Sequence, residues 1–131
     1  MNRILIDTNA YAAFKRNDLG TLDVMRSAEY IGVNTVVLGE LYSGFKGGSR
    51  EGRNRKELAQ FLDSPRVETV VIDEETAEFY AKIFWDLRKK GKPVPGNDLW
   101  VAASAMRHGL ALFTYDNHFR DIDGLLLSEW A

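Results

Sequence analysis

Short apolar runs separated by longer amphipathic stretches recur along this 131-residue sequence, and this alternation constrains the fold most strongly. The runs have the length of buried strands, and the stretches between them carry apolar residues at the 3.6-residue spacing of a helix. Such alternation is typical of strand–helix units, because two parallel strands need a crossover connection that is usually a helix. We therefore predict an α/β protein: a three-layer α/β/α sandwich around a mostly parallel sheet of four to five strands, with residues 1–131 as one domain.

The apolar runs and the turn signals between them locate the elements. The predicted strands are residues 4–6, 31–33, 67–72 and 110–113, with residues 125–127 as a candidate for a last edge strand. The predicted helices begin at Thr8 or Asn9, at residues 34–35, near residue 50, at residues 73–75 and near residues 97–98. We expect the second helix to end at Gly44, because Gly47 and Gly48 indicate a flexible turn.

The composition limits the class of protein. The sequence is 45% hydrophobic and 27% charged, as in ordinary globular domains, and its net charge of −2 argues against nucleic-acid binding by bulk charge alone. With no cysteine, the chain has neither a thiolate metal site nor a cysteine nucleophile. The opening residues MNRILIDTNA lack the apolar core of a secretion signal, and the apolar runs are too short to cross a bilayer. We expect a cytoplasmic protein without a membrane segment.

Four acidic residues occupy positions that suggest a site. Asp7 directly follows the first predicted strand, and Asp116 follows the fourth by three residues. Parallel α/β sheets bind ligands at the carboxyl ends of their strands, near the point where strand order reverses. Asp98 stands at the start of a predicted helix, where backbone N–H groups favour a carboxylate. Glu40 interrupts an apolar run, so burying it without a partner, a metal ion or water would be costly.

Three of these acids also have a purely structural interpretation. Asp7 and Asp98 are suitable helix N-caps, and Asp116 followed by Asn117 is suitable for a turn. If the four carboxylates converge, however, each close pair repels by roughly 4 kcal/mol at an intermediate dielectric, so the cluster needs a cation. Ligands that are all oxygen suit a hard ion such as Mg²⁺ or Mn²⁺, and such ions support phosphodiester hydrolysis.

The acids lie within four short motifs that follow one another along the chain. The motifs are IDTN at residues 6–9, LGELYSG at residues 38–44, NDLWVAASA at residues 97–105 and TYDNHF at residues 114–119. In order and spacing they resemble the PIN domain, and more narrowly the VapC and FitB type of toxin from bacterial and archaeal toxin–antitoxin pairs. The resemblance covers essentially the whole chain. It implies a PIN fold and a metal-dependent endoribonuclease, which is inhibited by a cognate antitoxin protein and is usually a homodimer.

The resemblance also implies roles for individual residues. The catalytic residues and ligands of Mg²⁺ or Mn²⁺ would be Asp7, Glu40, Asp98 and Asp116, and the supporting residues would be Thr8, Asn9 and Thr114. RNA hydrolysis by this family implies products with a 5′-phosphate and a 3′-hydroxyl. Asp121 and Asp123 lie close enough in sequence to compete with Asp116 for the fourth position.

Two basic segments are candidates for contacts with RNA phosphates. One spans residues 46–56, and the other, residues 88–92, precedes the helix of Asp98. A solvated helix face explains either segment equally well, so the salt dependence of binding would have to distinguish the two explanations. The candidate RNA-binding residues are Lys46, Arg50, Arg53, Arg55 and Lys92.

Two of the predicted helices are rich in aromatic and large apolar side chains. We expect most of these side chains to lie in the core. The resemblance implies that others line a groove that receives an amphipathic antitoxin helix, whose arginine would reach and neutralise the acids. The candidates are Tyr11, Phe14, Leu41, Tyr42 and Phe45.

Three other functions stay open from the sequence alone. An acid–base ribonuclease would depend on His108 or His118, the two histidines of the chain. A phosphatase with an aspartyl nucleophile would use Asp7, but such enzymes generally carry a second aspartate two residues later, where this chain has Asn9. A catalytically silent PIN-fold partner in an antitoxin–DNA complex would not need the four acids.

Overall fold

A four-stranded, all-parallel sheet forms the centre of the computed structural model, which describes residues 2–128. The strands are β1 (Arg3–Ile6), β2 (Tyr30–Asn34), β3 (Val67–Val70) and β4 (Ala111–Phe113), in the spatial order β3-β2-β1-β4. In the central strand, Ile6 pairs with Val33 on one side and with Phe113 on the other. β1 and β2 are buried over nearly their whole length, as expected for parallel strands covered by helices.

Helices connect the strands and flank the sheet. Within residues 2–128 they are α1 (Thr8–Lys15), α2 (Leu19–Ser27), α3 (Thr35–Gly47), α4 (Glu51–Leu62), α5 (Glu74–Lys90) and α6 (Gly96–His108), followed by the 3₁₀ segment Asn117–Asp121. The α/β sandwich that the sequence predicts is therefore confirmed, with a sheet that is parallel throughout.

Helix α2 is absent from the sequence-based prediction. Its start is marked by Asp18, whose carboxylate accepts a hydrogen bond from the backbone N–H of Thr21 at 3.0 Å. The helix buries Thr21 and Met25 on one side. An acid followed three residues later by threonine is a usable N-cap signal, but the helix has only nine residues and its first apolar residue, Leu19, is 78% exposed.

Several predicted boundaries are wrong by a few residues. α3 continues through Gly47 instead of ending at Gly44, and Gly48 is its C-cap. β3 ends at Val70, and the following Val71 is 61% exposed. Residues 126–128 do not form a full strand; Leu127 makes an isolated parallel bridge to Leu112 at the edge of β4.

Two glycines are required by their surroundings. Gly32 lies in the middle of β2, where a Cβ would approach Val70 Cγ2 to 2.9 Å and Leu5 Cδ1 to 3.0 Å. Gly109 ends α6 with a φ of 64°, a left-handed conformation that costs little only for glycine. Both sites help to bring the helices and strands into the close packing that positions their ends. Within residues 2–128, no helix is long and apolar enough to span a bilayer.

Candidate metal centre

The order of the strands creates a crevice at the carboxyl end of the sheet. The chain adds β2 and β3 on one side of β1 and then returns to add β4 on the other side. β1 and β4 are thus neighbours at the point where strand order reverses, which is where open α/β sheets bind ligands. Asp7 follows the last residue of β1, and Thr114 follows the last residue of β4.

All four predicted acids line one cleft of about 150 Å³ at this point. The cleft is lined by Asp7, Thr8, Asn9, Glu40, Asp98, Val101 and Asp116. Among the lining residues of the described chain there is no lysine or arginine. Four separate segments therefore bring four carboxylates together in one cleft, and no lysine or arginine of the described chain lines that cleft.

Asp7 is the most buried of the four acids, with 7% of its surface exposed. Its Oδ1 accepts a hydrogen bond from the backbone N–H of Ala10 at 2.9 Å, so Asp7, and not Thr8 or Asn9, is the N-cap of α1. Its Oδ2 accepts a hydrogen bond from Thr114 Oγ1. Burial raises the pKa of Asp7, although these hydrogen bonds oppose the rise.

Glu40 reaches the cleft from α3 and is held at both carboxylate oxygens. Thr8 Oγ1 donates to its Oε1 at 2.6 Å, and Asn97 Nδ2 donates to its Oε2 at 3.5 Å. Glu40 is half-buried, so its carboxylate needs hydrogen-bond partners. Thr8 and Asn97 are these partners.

Asp98 lies in the first turn of α6 but does not cap it, because Pro95 occupies the N-cap position and makes no side-chain cap. Burial, followed by the charges of Asp116, Glu40 and Asp7, raises the pKa of Asp98 to about 6. A carboxyl group with this pKa is poorly neutralised by its surroundings. Since Pro95 is the N-cap of α6, the structural interpretation of Asp98 as an N-cap is wrong.

A buried amide couples the helices that carry Glu40 and Asp98. Asn34 ends β2 and, as predicted, caps α3: its side-chain oxygen accepts a hydrogen bond from the N–H of Val36 at 2.6 Å. Its Nδ2 donates to Ser104 of α6. Asn34 and Ser104 are completely buried, so this bond fixes one helix relative to the other in the core.

Asp116 follows β4 and has both a structural role and a position in the cleft. Its backbone N–H donates to Thr114 Oγ1 at 3.0 Å, and its Oδ1 accepts from the N–H of His118 at 2.9 Å, which starts the 3₁₀ segment. The Nδ1 of His118 lies 3.1 Å from the same Oδ1. The turn expected from the sequence is present, and it directs the carboxylate into the cleft.

The two competing acids are engaged elsewhere. Asp121 pairs with Lys92 at 3.6 Å, and Asp123 pairs with Lys90 at 2.7 Å. Neither lines the cleft. Of the three candidates for the fourth position, Asp116 alone faces the other acids in the described chain.

Two polar residues at the site were not assigned to it from the sequence. Asn97 contacts Glu40, and its position immediately before Asp98 is the signal that points to it. His118 offers a ligand atom within 4.8 Å of those of Asp98 and Asp116. Its spacing of two residues from Asp116 is a weak signal, because only the 3₁₀ turn brings the imidazole back to the carboxylate.

The donor set of the cleft fits a divalent cation. Three aspartates and a glutamate supply hard oxygen ligands from four separate segments. After burial, the charges of Asp116, Glu40 and Asp7 raise the pKa of Asp98, and within residues 2–128 no lysine or arginine lines the cleft to offset them. Mg²⁺ or Mn²⁺ is of the charge and hardness that would do so.

Four of the five basic residues proposed for RNA binding form ion pairs on the surface. Lys46 pairs with Glu51 at 3.4 Å and Arg53 with Glu57 at 3.5 Å. Arg55 lies over the Tyr42 ring, with its guanidinium carbon 4.4 Å from the centroid, and Lys92 pairs with Asp121. These partners offset part of the positive charge, although exposed pairs of this kind exchange readily with solvent and ligands.

A separate groove lies between α1, α3 and α4. Tyr11, Leu41 and Phe45 form its apolar lining. Tyr11 and Leu41 are buried, while Phe14 packs tilted against Phe61 with the ring centroids 5.4 Å apart. The polar side chains at its borders are Lys15, Arg16, Asn54 and Glu57, and its volume is about 260 Å³.

Sequence comparisons identify the family. The PIN domain family matches residues 4–125. Ribonuclease VapC4 of Mycobacterium tuberculosis is 34% identical over 120 residues, which are 91% of this chain and 90% of that protein. Ribonuclease VapC2 of Rickettsia felis is 28% identical over 131 residues, covering 96% of each. The chain therefore belongs to the PIN domain family, within which it is of the VapC type.

Solved structures have the same fold. VapBC2 from Rickettsia felis, bound to a DNA fragment from its promoter, matches with a TM-score of 0.84 and 23% identity, covering 98% of both chains. DNA-bound VapBC from Salmonella typhimurium matches with a TM-score of 0.86 and 24% identity over 100% of both chains. The agreement extends over the sheet and all of the segments that bring the acids together.

Proposed function

We propose that this protein is a divalent-metal-dependent endoribonuclease and the toxin of a toxin–antitoxin pair. The observation that carries the proposal is the single cleft lined by Asp7, Glu40, Asp98 and Asp116 at the strand-order reversal. The ribonuclease names of its VapC relatives support RNA as the substrate.

The four acids would hold the ion, and the structure suggests a division of work among them. Thr114 and the Ala10 N–H fix the Asp7 carboxylate, and Thr8 fixes that of Glu40, so these two oxygen donors are oriented before the ion binds. Binding of a cation would favour the charged form of Asp7 and Asp98, the two acids of the cleft whose pKa is raised. When bound, a divalent ion lowers the pKa of a water molecule and polarises a phosphoryl oxygen.

The reaction that we propose is hydrolysis of an RNA phosphodiester. The oxygen of water bonds to phosphorus, the bond between phosphorus and the 3′-oxygen breaks, and the 3′-oxygen takes up a proton. The products are a 5′-phosphate and a 3′-hydroxyl. The contribution of the chain is to hold the acids within one cleft and to keep protein cations out of it, so that negative charge is available for the ion.

The test is cleavage of a mixed RNA pool by the purified protein with Mg²⁺, with Mn²⁺ and with EDTA. Asp7→Asn preserves the size of the side chain and removes its charge, so we expect cleavage to fall to background. Asp123→Asn is the matched control, because Asp123 is an exposed acid paired with Lys90 outside the cleft. Equal cleavage by wild type and Asp7→Asn, or full activity in EDTA, would contradict the proposal.

The geometry is less favourable to the competing functions. An aspartyl-nucleophile phosphatase generally carries a second aspartate two residues after the nucleophile, and Asn9 lines the cleft at that position. His108 lies at the far end of α6 from Asp98, so an acid–base mechanism would depend on His118 alone, and full activity in EDTA would favour it. A silent binding partner would bind antitoxin and show no metal-dependent cleavage, which the experiment above detects.

We also propose that the groove between α1, α3 and α4 receives an amphipathic helix of a cognate antitoxin. Its apolar lining suits the apolar face of such a helix, and the positively and negatively charged side chains at its borders suit the polar face. The VapBC and FitAB titles of structural relatives support an antitoxin as partner. An arginine of the antitoxin would then neutralise the acids of the cleft.

Co-expression with the product of a neighbouring small open reading frame tests this surface. Ala12→Arg introduces a large charged side chain at the groove, and we expect it to abolish co-purification. Ala77→Arg, on the exposed face of α5, is the matched control and should co-purify normally. Equal co-purification of both variants would place the antitoxin elsewhere. Light scattering of the pure protein tests the expected homodimer, and cell fractionation tests the expected cytoplasmic location.

A further inference from the structure

His118 is the one residue at the cleft that offers a nitrogen ligand. Ligand atoms of His118, Asp98 and Asp116 all lie within 4.8 Å of one another. The side chain of His118 is 60% exposed, so its imidazole lies on the solvent side of Asp116. The acid-quartet hypothesis gives this histidine no role.

The spacing between His118 and Asp116 agrees with joint binding of one ion. Nδ1 of His118 and Oδ1 of Asp116 are 3.1 Å apart. Two adjacent ligands of an octahedral ion with bonds of about 2.1 Å are separated by about 3 Å. The same distance also permits a hydrogen bond from the imidazole to the carboxylate, so the distance alone leaves two roles possible.

The rest of the cleft favours the ligand role. Asp7 and Glu40 each accept hydrogen bonds at both carboxylate oxygens from other residues of the chain. On the side of Asp98 and Asp116, the side chain that contacts a carboxylate within residues 2–128 is that of His118, whose Nδ1 lies 3.1 Å from Oδ1 of Asp116. His118 stands on this side, next to the two acids.

We propose that His118 is a direct nitrogen ligand of the divalent ion, together with Asp98 and Asp116, and that it makes the site favour Mn²⁺ over Mg²⁺. Mg²⁺ binds almost entirely to oxygen, whereas imidazole suits ions of the first transition series. The proposal rests on the proposed function, because it concerns the ion of the same cleft.

The chain offers a clean spectroscopic test, since His108 and His118 are its two histidines and it has no cysteine. The probe is Mn²⁺ bound to protein that carries ¹⁵N-labelled histidine, examined by pulsed electron paramagnetic resonance for hyperfine coupling to nitrogen. We expect histidine coupling in wild type and in His108→Asn, and its loss in His118→Asn. His108 is exposed at the end of α6, so its variant controls for the labelling and for the loss of a histidine.

Calorimetric titration of the same proteins measures ion preference. We expect His118→Asn to weaken Mn²⁺ binding at least about tenfold, since even outer-shell partners of metal ligands have effects of that size. Mg²⁺ binding should weaken less, so the ratio of the two affinities falls. Asparagine at position 118 keeps a hydrogen-bond donor beside Asp116. Thermal unfolding of the metal-free His118→Asn and His108→Asn proteins checks that both variants are folded.

The outcomes separate the inference from the proposed function. Bound Mn²⁺ without histidine coupling, or an equal loss of Mn²⁺ and Mg²⁺ affinity, would overturn the ligand role and leave the metal-dependent nuclease intact. Folded wild-type protein that binds neither ion would overturn both.

Discussion

Thr114 connects the two acids that follow β1 and β4. Its hydroxyl donates to Asp7 Oδ2 and accepts the backbone N–H of Asp116 at 3.0 Å. One buried hydroxyl thus fixes the carboxylate of one strand end and the backbone of the other. Its position suggests that this side chain determines the width of the cleft on that side.

Thr114→Val tests this connection at nearly constant volume. We expect RNA cleavage to fall by roughly 10- to 100-fold, because the variant leaves Asp7 without its side-chain donor and frees the backbone of Asp116. The free energy of unfolding should fall by about 1–3 kcal/mol, the usual effect of an unsatisfied buried polar group. Thr114→Ser keeps the hydroxyl and should retain most of the activity. Similar cleavage by Thr114→Val and wild type would contradict the positioning role.

Asp98 links the stability of the metal-free protein to pH. Its pKa is raised to about 6 by burial and by the neighbouring acids, so between about pH 4 and 6 the native state binds more protons than the unfolded chain. The free energy of unfolding must therefore fall as the pH rises through this window, and the loss persists at pH 7.

Asp98→Asn should remove this pH-dependent loss of stability. In EDTA at pH 7 we expect the variant to be more stable than wild type by about 1 kcal/mol, a modest value because solvent screens a partly exposed carboxyl group. At pH 4 the difference should vanish. Asp123→Asn is the contrasting variant, since Lys90 lowers the pKa of Asp123 and its removal should bring no gain. Chemical denaturation at both pH values measures the effect, and a destabilised Asp98→Asn protein in EDTA at pH 7 would contradict it.

At the scale of elements, the ends of helices and strands position the site. Asp7 caps α1, Asn34 caps α3 and joins it to α6, and Asp116 begins the 3₁₀ segment. Asp7 and Asp116 each order a turn and also line the cleft, so the structural interpretation of these acids is compatible with the proposed functional one. A carboxylate that orders the following turn is held in place by that turn.

Alanine substitutions at two glycines test how backbone conformation affects stability at a helix end and within a helix. Gly109 has a φ of 64° at the end of α6, so Gly109→Ala should destabilise the protein by about 1 kcal/mol. Gly44 lies within α3, where a Cβ meets only open space, and Gly44→Ala should stabilise it by about 0.5–1 kcal/mol. Thermal unfolding of the two variants provides the comparison. Equal effects of the same sign would show that backbone conformation does not decide these positions.

At the scale of the whole molecule, the proposed RNA substrate would have to bind despite a net charge of −2 and an acidic cleft. The basic segment at residues 46–56 begins in the last turn of α3, the helix that also carries Glu40, and continues into α4. Its ion pairs lie on the surface, where they contribute little to stability and can be replaced by contacts with phosphate.

Salt dependence of RNA binding tests this segment. In the Asp7→Asn background, which avoids cleavage, Arg50→Gln with Arg53→Gln should weaken binding. It should also reduce the slope of log K against log salt by about 1.4, the effect of two lost phosphate contacts on a single strand. Arg88→Gln with Lys89→Gln is the matched pair from the second basic segment. A reduced slope in that pair, with none in the first, would assign RNA binding to the second segment.

The sequence by itself determined the α/β class and the identity of the four acids. Buried parallel strands must be short and apolar, and helices between them must be amphipathic, so this information is local and visible in the order of residues. The motifs around Asp7, Glu40, Asp98 and Asp116 were enough to identify all of the acids that line the cleft.

Only the tertiary structure decided how these residues meet. The choice of Asp116 over Asp121 and Asp123 depends on which acids find lysine partners across the fold. The link from Thr114 to Asp7 spans 107 residues, and the approach of His118 to Asp98 depends on a single 3₁₀ turn. Helix α2 and the last turn of α3 escaped prediction because their local signals are weak: α2 has nine residues, and the glycines of α3 are typical of turns. The contacts at the cleft depend instead on distances between segments far apart in the chain, which local residue preferences do not specify.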